Sequence, residues 1–130
     1  MKQIIDYPPN IKQIKEVFPI LPESMLFCYG DVIYNPNGQE LADHIQIHEL
    51  THSDQQQEKP EEWWNKYLNS ISFRLLQESE AYRKQYQFAK KFIKDRNNLF
   101  KFLHLLAVNL SSEMYGKICS YEEAIKIIRK

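Results

Sequence analysis

Five of the six prolines fall before residue 37, at Pro8, Pro9, Pro19, Pro22 and Pro36. Proline removes a backbone donor and clashes with the preceding turn, so no long helix fits into that part of the chain. Residues 1–24 are expected to be a loop-rich segment with one short helix at 10–17. Further on, Met25-Leu26-Phe27-Cys28-Tyr29 and Val32-Ile33-Tyr34 flank Gly30-Asp31, and Asn35-Pro36-Asn37-Gly38 follows. Two short runs of β-forming residues around a two-residue turn predict a small hairpin. From Gln39 the pattern turns helical, with a break at Gln55–Pro60 and a restart whose first turn carries Glu61 and Glu62. The longest periodic segment covers 71–94, an apolar core helix is expected at 98–110, and Ser120-Tyr-Glu-Glu123 is a capping box opening a last helix, Tyr121–Ile128. The fold class expected is mainly α (α+β), with the hairpin packed on the helices.

A chain of 130 residues can bury one real core and is too short for two ordinary domains. The expectation is one domain over 1–130, with residues 25–94 as its centre and 95–130 as a C-terminal helical segment. Seventeen basic residues balance seventeen acidic ones, so no overall charge draws the chain to nucleic acid or an anionic membrane. No apolar run reaches the ~20 residues of a membrane span, and the N-terminus lacks a signal-like apolar stretch, which makes the cytoplasm the expected location. Cys28 and Cys119 are read as reduced, mostly buried thiols.

The segment Asp43–His52 holds the sequence H-E-L-T-H as His48, Glu49 and His52. On a helix, residues four apart lie about 40° apart and one turn along the axis, so both imidazoles can face one Zn²⁺. Glu49 then stands beside them as a general base for a metal-activated water. His44 continues the spacing by another turn, but about 12 Å of rise to His52 rules it out as a third ligand. It is expected to line the cleft or, more simply, to fill a half-buried polar position.

A catalytic zinc site needs a third protein ligand and one open position. On a helical wheel Glu78 shares a stripe with Ile71, Leu75, Tyr82, Ala89 and Ile93, whereas Glu80 falls among lysines and arginines and precedes Lys84 by four residues. A carboxylate on an apolar stripe is costly without a partner, and a metal held by two histidines would supply one. Pairing with Arg74 or His104 is the alternative. Tyr82, one turn beyond Glu78, would hydrogen-bond a ligand histidine or pack in the core.

These residues together resemble the gluzincins, zinc peptidases whose H-E-x-x-H histidines are joined by a glutamate from a following helix. The resemblance covers residues 25–86. It implies a zincin-like minimal domain with His48, His52 and Glu78 as zinc ligands and Glu49 as general base. The run Tyr29–Pro36, the H-E-L-T-H motif with Gln55-Gln56, Trp63-Trp64, Gln77–Tyr82 and the tail Leu110–Gly116 further resemble small H-E-x-x-H proteins of phage and prophage origin, which would place the chain in a host cytoplasm. Many gluzincins carry an aspartate where this chain has Tyr82. As oxyanion donor the resemblance leaves Tyr82, Tyr115 and His104 open, and it makes Val32–Tyr34 the edge strand that would pair with extended peptide.

The function expected is hydrolysis of a peptide or protein substrate with Zn²⁺ as cofactor. The competing expectation is a non-catalytic, metal-stabilised binding module. A nucleic-acid partner is not expected, because the wheel assigns Arg83, Lys84, Lys90, Lys91 and Lys94 to a solvated helix face and their aromatic neighbours to the core. Trp63-Trp64 are read as core rather than as a partner surface.

Overall fold

The computed structural model describes residues 1–130 as six α-helices and a three-stranded sheet. The fold is mainly α, of the α+β class. The hairpin forms as its sequence predicts, from β2 (Phe27–Tyr29) and β3 (Val32–Tyr34), with Tyr29 facing Val32 across the turn. Gly30 takes the left-handed φ of 64° that the first residue of such a tight turn requires.

The N-terminal segment contains more structure than expected. Lys2–Ile4 forms β1, which pairs parallel with β3 and makes the strand order β1-β3-β2. Val32–Tyr34 is therefore the central strand, and the expectation that it offers a free edge to a peptide is corrected. The period-two pattern of Lys2-Gln3-Ile4 is too short to be told from loop, and only the pairing reveals it. Helix α1 (Ile11–Val17) ends just before Pro19 and buries Ile14.

Helix α2 (Asp43–Gln56) carries the H-E-L-T-H motif and stops where Gln57 and Glu58 adopt positive φ. Pro60 then starts α3 (Pro60–Asn69), where its missing N–H costs nothing. Ser70 caps α4 (Ile71–Lys90) by accepting from Phe73 N at 3.2 Å. That helix ends four residues before the predicted limit of its periodic segment, since Asp95 caps the next one, α5 (Arg96–Leu110), through Asn98 N. A 3₁₀ turn at Glu113–Tyr115 leads to α6 (Tyr121–Arg129), which opens on the capping box of Ser120 and Glu123. No helix is long and apolar enough to cross a membrane.

Two apolar clusters form the core. One joins α4, α5 and α6 through Tyr82, Leu103, Leu106, Leu110 and Ile128. The other joins α1, β2 and α3 through Ile14, Phe27, Trp63, Trp64 and Tyr67. Helix α2 lies against α4, and its buried residues are His48, Glu49, Thr51, His52 and Gln56, all of them polar. The His48 ring meets Tyr82 of the first cluster at 4.5 Å between centroids, and the His52 ring meets Trp63 of the second at 5.3 Å. A polar seam thus lies between two apolar halves. Both cysteines are free, Cys28 buried and Cys119 half-buried.

Candidate metal centre

Because His48 and His52 are one turn apart on α2 and Glu78 faces them from α4, three side chains converge in the seam. His48 Nε2 and His52 Nε2 stand 3.2 Å apart, and Glu78 Oε1 lies 3.2 Å from the first and 3.3 Å from the second. A tetrahedral ion with bonds of about 2.0 Å holds its ligands about 3.3 Å apart, so this nearly equilateral triangle is the spacing such an ion requires. Two imidazoles and one carboxylate also suit zinc chemically. All three residues are at least nine-tenths buried, where an unpaired carboxylate would be costly.

The surroundings aim the ligand atoms. His48 Nδ1–H donates to Gln85 Oε1 at 2.9 Å and His52 Nδ1–H donates to Gln55 Oε1 at 2.8 Å. Each bond fixes the tautomer that leaves an Nε2 lone pair for a cation. Gln85 Nε2 in turn donates to His44 Nδ1 at 2.8 Å, and Gln55 Nε2 donates to the Gln77 carbonyl and to Glu80. The other carboxylate oxygen of Glu78 accepts a 2.6 Å bond from the Tyr67 hydroxyl. Glu78 therefore presents one oxygen to the histidines while the second is tied to α3.

Charge follows the same geometry. Burial would lift the Glu78 carboxyl, but His52 and His48 outweigh it and hold it well below the usual carboxylate range. Burial would lower His52, but Glu78 overrides it and the imidazole is pushed up to about 9. Burial raises the Tyr67 and Tyr115 phenols, and the nearby Glu78 charge adds to it, so both stay protonated.

Glu49 sits next to this triangle, buried, with Oε2 3.9 Å from His48 Nε2. No protein group donates a hydrogen bond to its carboxylate. Burial raises its pKa, the two histidines partly offset the rise, and Glu78 adds to it. A cavity of about 40 Å³ borders His48, Glu49, His52 and Glu78 and is walled by Met25, Leu26, Trp63 and Tyr115. Such a volume holds about one water molecule.

The pairing of Glu78 with Arg74 or His104 is corrected here, whereas core packing of Tyr82 and the half-buried position of His44 are met. His104 is remote, exposed and bonded through Nδ1 to the Tyr121 hydroxyl, so it belongs to the α5–α6 surface. Arg74 does not pair with Glu78; it donates to the carbonyls of Tyr67, Leu68 and Tyr115. Tyr82 bonds Tyr115 at 2.7 Å and touches His48 only with its ring, because Gln85 already occupies Nδ1. Glu80 accepts from Gln55 rather than pairing with Lys84. His44 fills a half-buried position against Phe102, yet is joined to His48 through Gln85. Trp63 and Trp64 are core residues, as read from the sequence.

The sequence did not mark Gln85 or Tyr67, and it named Gln55 only as part of a motif with Gln56, not as the partner of His52. Gln85 lies seven residues after Glu78, hence on the same face, and Gln55 lies three after His52, so spacing could have marked both. Tyr67 comes from a separate helix and leaves no such signal. The chain matches no protein-family model, no curated protein and no solved structure.

Proposed function

We propose that the protein is a zinc-dependent peptidase, with His48, His52 and Glu78 as metal ligands and Glu49 as general base. The observation that carries this reading is the Glu49 carboxylate: buried, without a protein hydrogen-bond donor, and placed against a ligand triangle with tetrahedral spacing. A metal-binding site that served stability alone would have no use for such a costly group. Zinc, when bound, polarises a carbonyl and makes water a stronger acid. Glu49, its proton affinity raised by burial, accepts the proton from water and returns it to the leaving amine. Tyr115 borders the cavity with a protonated phenol and is the donor suited to a developing oxyanion, with Tyr82 holding it from behind. Since the cavity takes little more than a water, its wall has to open for a peptide to enter.

Glu49→Gln is expected to retain zinc while lowering hydrolysis of an unfolded protein substrate by about 10²–10⁴-fold. Unchanged turnover in that variant would contradict the mechanism. The same small cavity favours a second reading, a metal-stabilised binding module, which expects no hydrolysis by the wild type of any substrate.

A further inference from the structure

His44 and His48 lie one turn apart on α2, and the buried Gln85 of α4 bridges them. Gln85 Oε1 accepts from His48 Nδ1 at 2.9 Å, and Gln85 Nε2 donates to His44 Nδ1 at 2.8 Å. His44 itself stands outside the ligand triangle. Its ring meets Phe102 of α5 edge-on, with centroids 5.0 Å apart and planes at 82°. Three helices thus surround a chain of three polar side chains that ends on a metal ligand. A phenyl ring would make the same edge contact with Phe102, so packing alone does not account for a histidine at position 44.

A glutamine amide has the same shape in both directions but opposite polarity. Turned by 180°, Gln85 would present its NH₂ to His48 Nδ1, which would then have to accept. The imidazole proton of His48 would move to Nε2, the atom that an ion needs. The Gln85 side chain has no third hydrogen-bond partner to decide its direction, so the choice falls to His44. The His44 Nδ1 accepts, which leaves the proton of that ring on Nε2, the tautomer that an unconstrained histidine side chain prefers. Burial holds the ring below its ordinary value against the pull of Asp43, with His48 adding to the lowering. The first turn of α2 also disfavours a cation. A neutral acceptor at position 44 gives the chain of bonds a single direction, toward a free Nε2 on His48.

We propose that His44 is a positioning residue of the metal centre: by accepting from Gln85 it fixes the direction of the amide, and the amide keeps the proton of His48 on Nδ1. The inference rests on the metal-ligand part of the peptidase reading and is independent of hydrolysis. His44 acts only through Gln85, so its effect has to vanish when Gln85 is removed, whereas a packing role against Phe102 would persist.

The test is zinc affinity in competition with a chelating dye, for the wild type, His44→Phe, His44→Asp, Gln85→Leu, and His44→Phe combined with Gln85→Leu. His44→Phe keeps a ring against Phe102 and removes the acceptor, and is expected to weaken zinc binding about tenfold. His44→Asp gives up the ring but sets an acceptor as many bonds from the backbone as Nδ1, and is expected to stay within about threefold of the wild type. In the Gln85→Leu protein, His44→Phe should cause no further loss, because the link is already cut. Wild-type affinity in His44→Phe, equal losses in His44→Phe and His44→Asp, or a loss that adds in full to that of Gln85→Leu would overturn the proposal and leave the metal centre standing. No zinc binding by the wild type would instead overturn the metal-centre reading, and the role of His44 would fall with it.

Discussion

The side chain that sets the behaviour of the metal-free protein is His52. Its imidazole is lifted from 6.5 to about 9 by Glu78, so folding binds its proton more tightly. That contribution is complete below pH 6.5 and is lost as the pH rises through about 9. Glu78, held below its ordinary 4.5, contributes above that pH and loses the contribution on acidification. Glu49, raised by burial, acts in the opposite sense to Glu78, its contribution being lost as the pH rises above its ordinary 4.5. Urea midpoints of chelator-treated protein should therefore be higher near pH 5.5 than near pH 9, and a midpoint that climbs steadily with pH would contradict the pairing. Zinc must displace the same proton, so its affinity should rise over the range in which the metal-free fold weakens. Gln85 is the second residue-scale lever. Gln85→Leu removes the acceptor for His48 Nδ1 and the donor to His44, and is expected to weaken zinc binding about 10–100-fold in competition with a chelating dye.

Among the elements, α2 departs most from ordinary helix packing. A surface helix usually buries an apolar stripe, whereas α2 buries two histidines, a glutamate, a threonine and a glutamine. Gln56 lies at its end and fastens the hairpin, donating to the Cys28 carbonyl and accepting from Gly30 N. The α3–α4 corner depends on Arg74, whose guanidinium satisfies three carbonyls and lies 4.8 Å from the Phe18 ring. Arg74→Met should cost about 3 kcal/mol or more, read as a lower urea midpoint, because the buried carbonyls lose their donors. The hairpin, the break at Pro60 and the Ser120 cap were legible because each rests on a local rule of backbone geometry. Glu78 was legible because a carboxylate on an apolar stripe requires a partner. Strand β1 and the Tyr67 bond to Glu78 were not, since both depend on pairing between elements distant in sequence. The supporting role of Gln85 lay within reach of the spacing, but the wheel ranks residues by apolarity and passes over a polar residue on the core side.

At the scale of the molecule, the polar seam joins two apolar clusters that share no residue, with His48 against one and His52 against the other. A metal ion in the seam would tie the halves together, and zinc at about a thousand times its dissociation constant would add about 4 kcal/mol to folding. The central claim concerns that ion and its third ligand. The direct measurement is zinc content by elemental analysis of the purified wild type beside Glu78→Ala and Glu80→Ala. About one zinc per chain in the wild type and in Glu80→Ala, with loss in Glu78→Ala, is the result expected from the ligand triangle. No zinc in the wild type after reconstitution, or full zinc in Glu78→Ala, would contradict it.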